Sequence, residues 1–339
     1  MSVSWTYSIV GALAAFGMLM VAAWVRSRYR LRLPAIEILV GNNSVGPGGY
    51  ITVARFPASA NGNASPSSEI YVNNATAVVR DGAGNIYVAS DIGNQVQVYA
   101  PGAMGAAQRL RNIQGLNTNL YRPTGLALDR QGNLYVAERG GPANPSAVLK
   151  FAAGADGDIA PTAVIPSRLA PPQGDGAANT RLDIASGVAI DNDGSIYVVT
   201  TSELLRGGDV RLLRFASGSD GDVAPIAEIT MGLVEPQQAA IDGDGSIYVT
   251  NRGANPSIAV YAPSPVADVA PTRSITSADL RAPSGVAVDG QGKVFVADAD
   301  RQSVLVFDSG ASGNVAPLRK IQGDGTGLSN PLGIAIRLI

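Results

Sequence analysis

The sequence contains no cysteine and no histidine. Without cysteine the chain forms no disulfide bond and offers no thiolate to a metal ion. Without histidine it lacks the side chain that most often acts as a general base near neutral pH and most often binds transition metals. Catalytic Ser-His-Asp and Cys-His arrangements are therefore excluded, and a metal-dependent enzyme of this composition would have to use carboxylates alone.

Charged and aromatic side chains are also scarce, at 15% and 6% of the 339 residues. Glycine and proline are abundant, with 40 and 21 residues, and they separate short apolar runs, which favours an all-β domain. Without four arginines near the N-terminus, 21 basic residues face 27 acidic ones, a net charge of 21 − 27 = −6. Phosphate groups attract basic surfaces, so nucleic acid is not an expected partner.

The first part of the chain differs from the rest. Residues 5–25 carry no charge, and at 1.5 Å per residue they are long enough to cross a hydrocarbon core of about 30 Å. A cleaved signal peptide has its positive charge before the apolar run, whereas here the arginines follow it. We therefore predict an uncleaved transmembrane helix over residues 5–25, with a flank at residues 1–4 and a basic linker at residues 26–34. The residues expected to anchor it at the membrane interfaces are Trp5, Tyr7, Trp24, Arg26, Arg28, Arg30 and Arg32.

The arginine cluster also predicts the orientation of this helix in the cell membrane. Basic flanks remain on the cytoplasmic side, which would keep the following domain in the cytoplasm. A periplasmic or extracellular location is the alternative, because large domains cross membranes despite flanking charge. Small residues that would let another helix approach closely are Gly11, Ala14, Ala15 and Gly17.

One phrase recurs along the rest of the chain: an apolar run, a turn of Asp and Gly, and a second apolar run. The full copies lie at residues 77–89, 125–137, 187–199, 238–250 and 285–297, and a truncated copy lies at residues 333–336. Each full copy precedes a variable loop, a strand that ends in an aromatic residue, and a short strand. Four strands in about 40–50 residues indicate one blade of a propeller. We expect a proline to open the last, outermost strand at Pro161, Pro225, Pro271 and Pro317.

The two ends of the repeat region complete each other. Residues 35–41, 51–56 and 66–70 provide three strands of a blade that lacks its innermost strand, and residues 331–339 provide that strand. The prediction for residues 35–339 is an all-β, six-bladed β-propeller of four-stranded blades, preceded by the transmembrane helix. One blade is shared by the N- and C-terminal strands, which closes the ring and leaves no exposed sheet edge.

The recurring phrase P-x-G-[VIL]-A-[VIL]-D-x-x-G-x-[ILV]-[YF]-V-A resembles the NHL repeat of six-bladed propellers. Its aspartates align at Asp81, Asp129, Asp191, Asp242 and Asp289. One copy departs from the pattern, with Gln237-Gln238-Ala239 where the others place Gly or Ala. The resemblance implies mostly binding functions, to proteins or RNA, while some relatives of the fold are lyases or lactonases that use metal and histidine. The fold alone does not choose among these functions.

Two turns, residues 191–195 and 242–246, resemble the start of a calcium loop. They lack the later oxygen ligands and the glutamate of an EF-hand, so we interpret them as hairpin turns in which Asp accepts backbone N–H groups. The sequence thus predicts no metal, no cofactor and no catalytic residue. The repeated aromatic residues are expected to pack between blades. They are Tyr87, Tyr135, Tyr197, Tyr248 and Phe295.

Function is expected where the repeats differ, because regular parts serve the scaffold and loops carry binding. The loops after the second and fourth strands of each blade share one face, beside the central channel, and include insertions at residues 168–183 and 202–209. The residues expected to contact a partner there are Glu138, Arg139, Leu204, Leu205, Arg206, Asn251 and Arg252.

These features favour a membrane-tethered, non-catalytic docking or scaffold protein, an accessory subunit of a membrane protein complex. Its expected partners are other membrane proteins and, through the N-terminal helix, the lipid bilayer. The alternative is a sensor that binds a small molecule or carbohydrate in the central channel. A metal-dependent lactonase or lyase is less favoured.

Overall fold

The computed structural model describes residues 37–141, 144–167, 179–201 and 210–337. Within these residues no helix has the length and apolar character needed to cross a membrane. The transmembrane helix over residues 5–25, its anchoring and packing residues and the basic linker lie outside the described residues and stay predictions. The same holds for Leu204, Leu205 and Arg206.

The regular secondary structure of the described chain is almost entirely β-strand. The first three strands are β1 (Glu37–Asn42), β2 (Ile51–Pro57) and β3 (Ser68–Val72). Blade 1 contains β4 (Ala77–Arg80), β5 (Ile86–Ser90), β6 (Gln95–Tyr99) and β7 (Arg111–Ile113). Blade 2 contains β8 (Pro123–Leu128), β9 (Leu134–Glu138), β10 (Ala147–Phe151) and β11 (Ala163–Pro166). Blade 3 contains β12 (Ile184–Ile190), β13 (Ile196–Thr201), β14 (Arg211–Phe215) and β15 (Ala227–Ile229).

The remaining blades follow the same order. Blade 4 contains β16 (Pro236–Ile241), β17 (Ile247–Asn251), β18 (Ser257–Tyr261) and β19 (Arg273–Thr276), and β23 (Gly313–Asn314) pairs parallel to β19. Blade 5 contains β20 (Pro283–Val288), β21 (Val294–Asp298), β22 (Ser303–Phe307) and β24 (Arg319–Gln322). The last strand is β25 (Pro331–Arg337). Short 3-10 helices lie at Leu116–Thr118 and Asp324–Thr326.

Strand β25 pairs antiparallel with β1, so that Ile336 lies opposite Ile38 and Ile334 opposite Val40. The resulting sheet has the order β25-β1-β2-β3 and is called the closing blade below. The prediction of six four-stranded blades, one of them shared by both ends of the repeat region, is confirmed.

The recurring phrase folds as a hairpin because its aspartate organises the turn. In blade 2 the Oδ1 atom of Asp129 accepts the N–H groups of Gln131 (3.0 Å) and Asn133 (2.8 Å). Gly132 has φ of 83°, which glycine adopts without steric cost. Asp191 accepts N–H groups in the same way, so its carboxylate serves the turn. The interpretation of these segments as hairpin turns is confirmed.

The repeated aromatic residues pack between blades, as predicted. Their side chains are at most 6% exposed. Each tyrosine is also covered by a cation from the third strand or outer strand of its blade, at ring distances that favour cation–π attraction. The pairs are Arg111 over Tyr87 (5.6 Å), Lys150 over Tyr135 (5.3 Å), Arg214 over Tyr197 (5.7 Å) and Arg273 over Tyr248 (5.6 Å).

The outermost strands begin later than the sequence predicts. Pro161 does not open its strand, since β11 begins at Ala163. Proline has no N–H group, so the first hydrogen bond to the third strand comes from the next residue, Thr162, to the carbonyl of Lys150 (2.7 Å). The same bond is formed by the residue after each of the other three prolines.

Carboxylates from the connection between third and fourth strands fasten blades 2, 3 and 4 to the blade before each of them. The Oδ1 atom of Asp158 accepts the N–H of Asn117 (2.7 Å) at the end of blade 1. Asp268 accepts the N–H of Thr230 (2.9 Å) at the end of blade 3. In the closing blade Asn63 takes this role and accepts the N–H of Gly325 (2.6 Å). Side chains thus link the blades beyond their apolar contacts.

Candidate functional site

The antiparallel order of the strands defines two faces of the propeller. The connections between second and third strands, and between one blade and the next, lie on the face called the upper face here. The turns between first and second strands and between third and fourth strands lie on the opposite, lower face. The innermost strands of the six blades surround the central channel.

The second strand of each blade has a buried polar residue at its end or next to its end, and this residue holds the upper connections in place. The Oε2 atom of Glu138 accepts the N–H of Tyr121 (2.8 Å), and the Oδ1 atom of Asn251 accepts the N–H of Val234 (3.1 Å). Their exposed fractions are only 2% and 1%. Sequence reasoning places Glu138 and Asn251 among partner contacts; in the structure both side chains are enclosed and bind the backbone of their own chain.

Burial also changes the acidity of Glu138. Loss of solvent raises the pKa of this carboxyl to about 8, although the hydrogen bond from the Tyr121 N–H acts in the opposite direction. The carboxyl is therefore mostly protonated at neutral pH. Glu138 is accordingly a structural group whose charge is suppressed by its surroundings.

The residues that follow these buried positions reach the mouth of the channel. Arg139 and Arg252 line a cavity of about 220 Å³ on the upper face, together with Arg122, Asp91 and Asn43. This cavity is called the upper cup below. Three arginines and one aspartate are thus among its lining residues. The guanidinium of Arg252 pairs with the carboxylate of Asp300 at 3.1 Å, in an exposed position.

Two charges in the upper cup are not compensated by neighbouring side chains. Among the described residues neither the Asp91 carboxylate nor the Arg122 guanidinium has an ion pair or hydrogen bond. The backbone around them is held firmly: the N–H of Arg122 donates to Asn94 Oδ1 (2.8 Å), and that of Asp91 is directed at Asn74 Oδ1 (3.4 Å). The left-handed backbone of Arg122 (φ 58°) recurs before the prolines of two other blades, at Glu235 and Asn330, so it belongs to the scaffold.

Gln238 forms the floor of the upper cup. Its Nε2 group donates to the carbonyl oxygens of Thr124 and Ser186, both at 2.8 Å, and so joins the innermost strands of blades 2, 3 and 4. The equivalent position is Gly125, Gly187, Gly285 or Gly333 in four blades and Ala77 in another. Sequence reasoning noticed this departure as an irregular copy and did not assign it a role. The sequence feature that could have indicated this role is a long polar side chain at a position that is glycine in four other blades.

Below Gln238 the channel is apolar. A second cavity, of about 280 Å³, is lined mainly by aliphatic residues of the innermost strands, and Gln238 borders both cavities. The one charged residue in its wall is Arg80, whose guanidinium pairs with Glu37 at 2.6 Å and so carries little free charge into the channel.

The described residues contain no cluster of acidic side chains suited to a metal ion. The carboxylates of the repeat turns accept backbone N–H groups on the lower face, and Asp298 accepts those of Arg281 and Ala282.

The upper face also exposes large apolar side chains. They are Val45, Tyr50, Tyr71, Ile92, Leu116, Met231 and Val234, called the upper apolar set below. Leu116 is 95% exposed and Ile92 74% exposed. Tyr50 and Tyr71 stack on each other with ring centroids 4.3 Å apart and an angle of 7° between the rings. The loops that hold Val45, Ile92 and Leu116 differ from blade to blade.

The comparisons with known proteins agree with this architecture. The NHL repeat model matches residues 280–307, within blade 5, and no curated protein sequence matches the chain. A protein of unknown function from Bacteroides caccae is 12% identical with a TM-score of 0.62, over 89% of this chain and 98% of that one. A chain of a nidogen/laminin complex is 14% identical, with a TM-score of 0.60 over 89% and 98%. A proposed 6-phosphogluconolactonase from Bacteroides fragilis is 15% identical, with a TM-score of 0.56 over 90% and 98%. At these identities the likeness concerns the fold alone, and the chain is a six-bladed β-propeller that carries an NHL repeat.

Proposed function

We propose that this chain is a membrane-tethered, non-catalytic propeller that docks a partner protein on its upper face, as an accessory subunit of a membrane protein complex. The observation that carries this proposal is the upper apolar set. Exposed apolar groups near arginine side chains are typical of protein interfaces.

The lower face also exposes apolar residues, among them Met104 and Val266 in connections between third and fourth strands. On the lower face Leu110, Ile226 and Leu318 occupy one repeat position, where the N–H of each residue binds the third strand. They belong to the regular scaffold. On the upper face Ile92 and Leu116 lie in connections of unequal length and sequence, which supports a role outside the scaffold.

The stacked pair Tyr50 and Tyr71 supplies a rigid aromatic surface of the kind that dominates binding energy at interfaces. Tyr50 is 54% exposed and Tyr71 38% exposed. The predicted helix over residues 5–25 would hold this surface beside membrane partners and raise their effective concentration. Modest contacts would then be sufficient for docking.

Extraction of the full-length protein from native membranes with a mild detergent tests the proposal. We expect a reproducible complex on a native gel, and we expect Ile92→Lys to weaken it by at least tenfold in partner recovery. Leu110→Lys is the matched control on the lower face and should leave the complex intact. A lone monomer in the wild-type extract, or equal loss in both variants, contradicts docking on the upper face.

The tether is tested separately by an alkaline carbonate wash of the same membranes. An integral helix keeps the protein in the pellet, and release into the supernatant contradicts the predicted anchor. Catalysis is a weaker candidate, since the chain has no histidine and its described part brings together no carboxylate cluster.

A further inference from the structure

Two opposite charges share one small cavity without pairing. Asp91 and Arg122 both line the upper cup, and within the described chain neither charged group has a protein partner. Partly buried charges are normally paired, because removal from water costs free energy that a partner offsets. An unpaired carboxylate and an unpaired guanidinium among the lining residues of one cavity are therefore the features of the cup that call for an explanation.

The backbone segments that carry these two groups are fastened to each other. Asp91 and Asn94 lie in the same short connection between β5 and β6, and Asn94 Oδ1 accepts the N–H of Arg122 (2.8 Å). The loop of blade 1 that bears the carboxylate is thus fastened to the residue that bears the guanidinium. A site held in this way loses little conformational entropy when a ligand binds.

The size of the cup limits what it can hold. Its volume of about 220 Å³ is smaller than the roughly 300–1,000 Å³ of sites for drug-sized ligands. Gln238 closes it from below through its bonds to Thr124 and Ser186, so a ligand does not extend into the apolar channel. The occupant is accordingly a small molecule that enters from the upper face.

We infer that the upper cup binds a small organic acid that carries a hydrogen-bond donor beside its carboxylate, as α-amino and α-hydroxy acids do. Arg122 binds the ligand carboxylate, for which the planar guanidinium offers two parallel N–H donors. Asp91 accepts the hydrogen bond of the ligand's ammonium or hydroxyl group. Arg139 and Arg252 also line the cup, and Arg252 is paired with Asp300. This inference goes beyond docking and does not depend on it.

Isothermal titration of the full-length protein in a mild detergent tests this assignment with three probes of equal carbon skeleton. L-alanine carries an ammonium group on the α-carbon, L-lactate a hydroxyl group, and propionate only hydrogen. We expect alanine or lactate to bind at least tenfold more tightly than propionate. Tighter alanine binding identifies an amino acid site, and tighter lactate binding a hydroxy acid site. Equal binding of all three probes, or no binding at 10 mM probe, overturns the inference.

Two variants assign the roles of the charged groups. Asp91→Asn should reduce the preference over propionate to less than threefold, and Arg122→Gln should weaken the favoured probe at least tenfold. The controls, Asp244→Asn and Arg130→Gln, remove the same charges from exposed turns of the lower face and should leave binding unchanged. Unchanged binding in both cup variants overturns the inference. Unchanged thermal midpoints in all four proteins show that lost binding does not reflect unfolding.

Discussion

The Nε2 atom of Gln238 lies 2.8 Å from the carbonyl oxygen of Thr124, two blades away across the central channel. A second bond of equal length joins it to Ser186 in the neighbouring blade. A side chain can reach this far because the neighbouring inner strand has a glycine there: a Cβ atom on Gly187 would lie 2.9 Å from the Oε1 atom of Gln238. One amide group thus ties three inner strands together and divides the channel into two cavities.

The Gln238→Glu substitution tests the importance of this crossing. The variant keeps the shape of the side chain but directs a carboxylate at two carbonyl oxygens that receive N–H donors in the wild type. We expect the free energy of unfolding at pH 7 to fall by about 2–3 kcal/mol, since two acceptors lose their donor. Urea unfolding followed by circular dichroism measures the loss. At pH 4 part of the loss should be recovered, because a protonated carboxyl again donates one hydrogen bond.

Gln237→Glu is the matched control for this experiment. Gln237 donates one bond, to the exposed Glu235 carbonyl, and its side chain has room to turn toward water. A loss of less than about 0.5 kcal/mol is expected there, as for most surface changes. Equal losses in the two variants would show that the crossing does not stabilise the ring.

Glu138 gives the protein a stability that depends on pH. The folded carboxyl has a pKa of about 8, above the ordinary value of 4.5 that applies to the unfolded chain. Between these values the unfolded state binds fewer protons than the folded state, so stability falls as pH rises from about 5 to 8. We expect a loss on the order of 3 kcal/mol over this range in urea unfolding.

Glu138→Gln should remove this dependence, because the neutral amide keeps an oxygen that accepts the N–H of Tyr121 and never ionises. The control is Glu235→Gln, which removes the same charge from an exposed upper loop and should retain the wild-type slope. A wild-type protein with constant stability between pH 5 and pH 8 would contradict the raised pKa.

The propeller scaffold was predictable because the same sequence pattern recurs in almost every blade. The Asp129 turn and the buried Tyr135 occur in almost every blade, and the shared blade follows from counting strands at the two ends. Contacts between residues that are far apart in the ring each occur once, so no repeated sequence pattern predicts them. Nothing in the local sequence tells that Glu138 turns inward to Tyr121, whereas Arg139, one residue later, reaches the cup.

The candidate site depends on such single contacts. Arg139 and Arg252 were selected from sequence and do line the cup, but Asp91 and Arg122 were not selected. Arg122 comes close to the Asp91 loop through Asn94, which lies 28 positions earlier in the chain. Long-range proximity of this kind follows from the closed ring and not from residue pattern.

The hydrogen bonds that fasten the blades to each other predict that substitution of Gly115 strongly destabilises the fold. This residue has φ of 137°, a conformation that side chains strongly disfavour, and a Cβ atom there would overlap the Asp158 side chain. Gly115→Ala should therefore lower the free energy of unfolding by about 2–4 kcal/mol, through backbone strain and displacement of Asp158 from the Asn117 N–H. Thermal and urea unfolding of the full-length protein measure the effect.

Gly102→Ala separates these two causes. Gly102 also has a positive φ, 82°, but no atom lies near the position of an added Cβ, so only the backbone cost of about 1 kcal/mol is expected. In a double-mutant cycle, Asp158→Ala should reduce the cost of Gly115→Ala, because the obstructing side chain is gone. Equal costs at Gly115 and Gly102, with no coupling to Asp158, would show that contact between blades does not contribute and that backbone strain alone decides both variants.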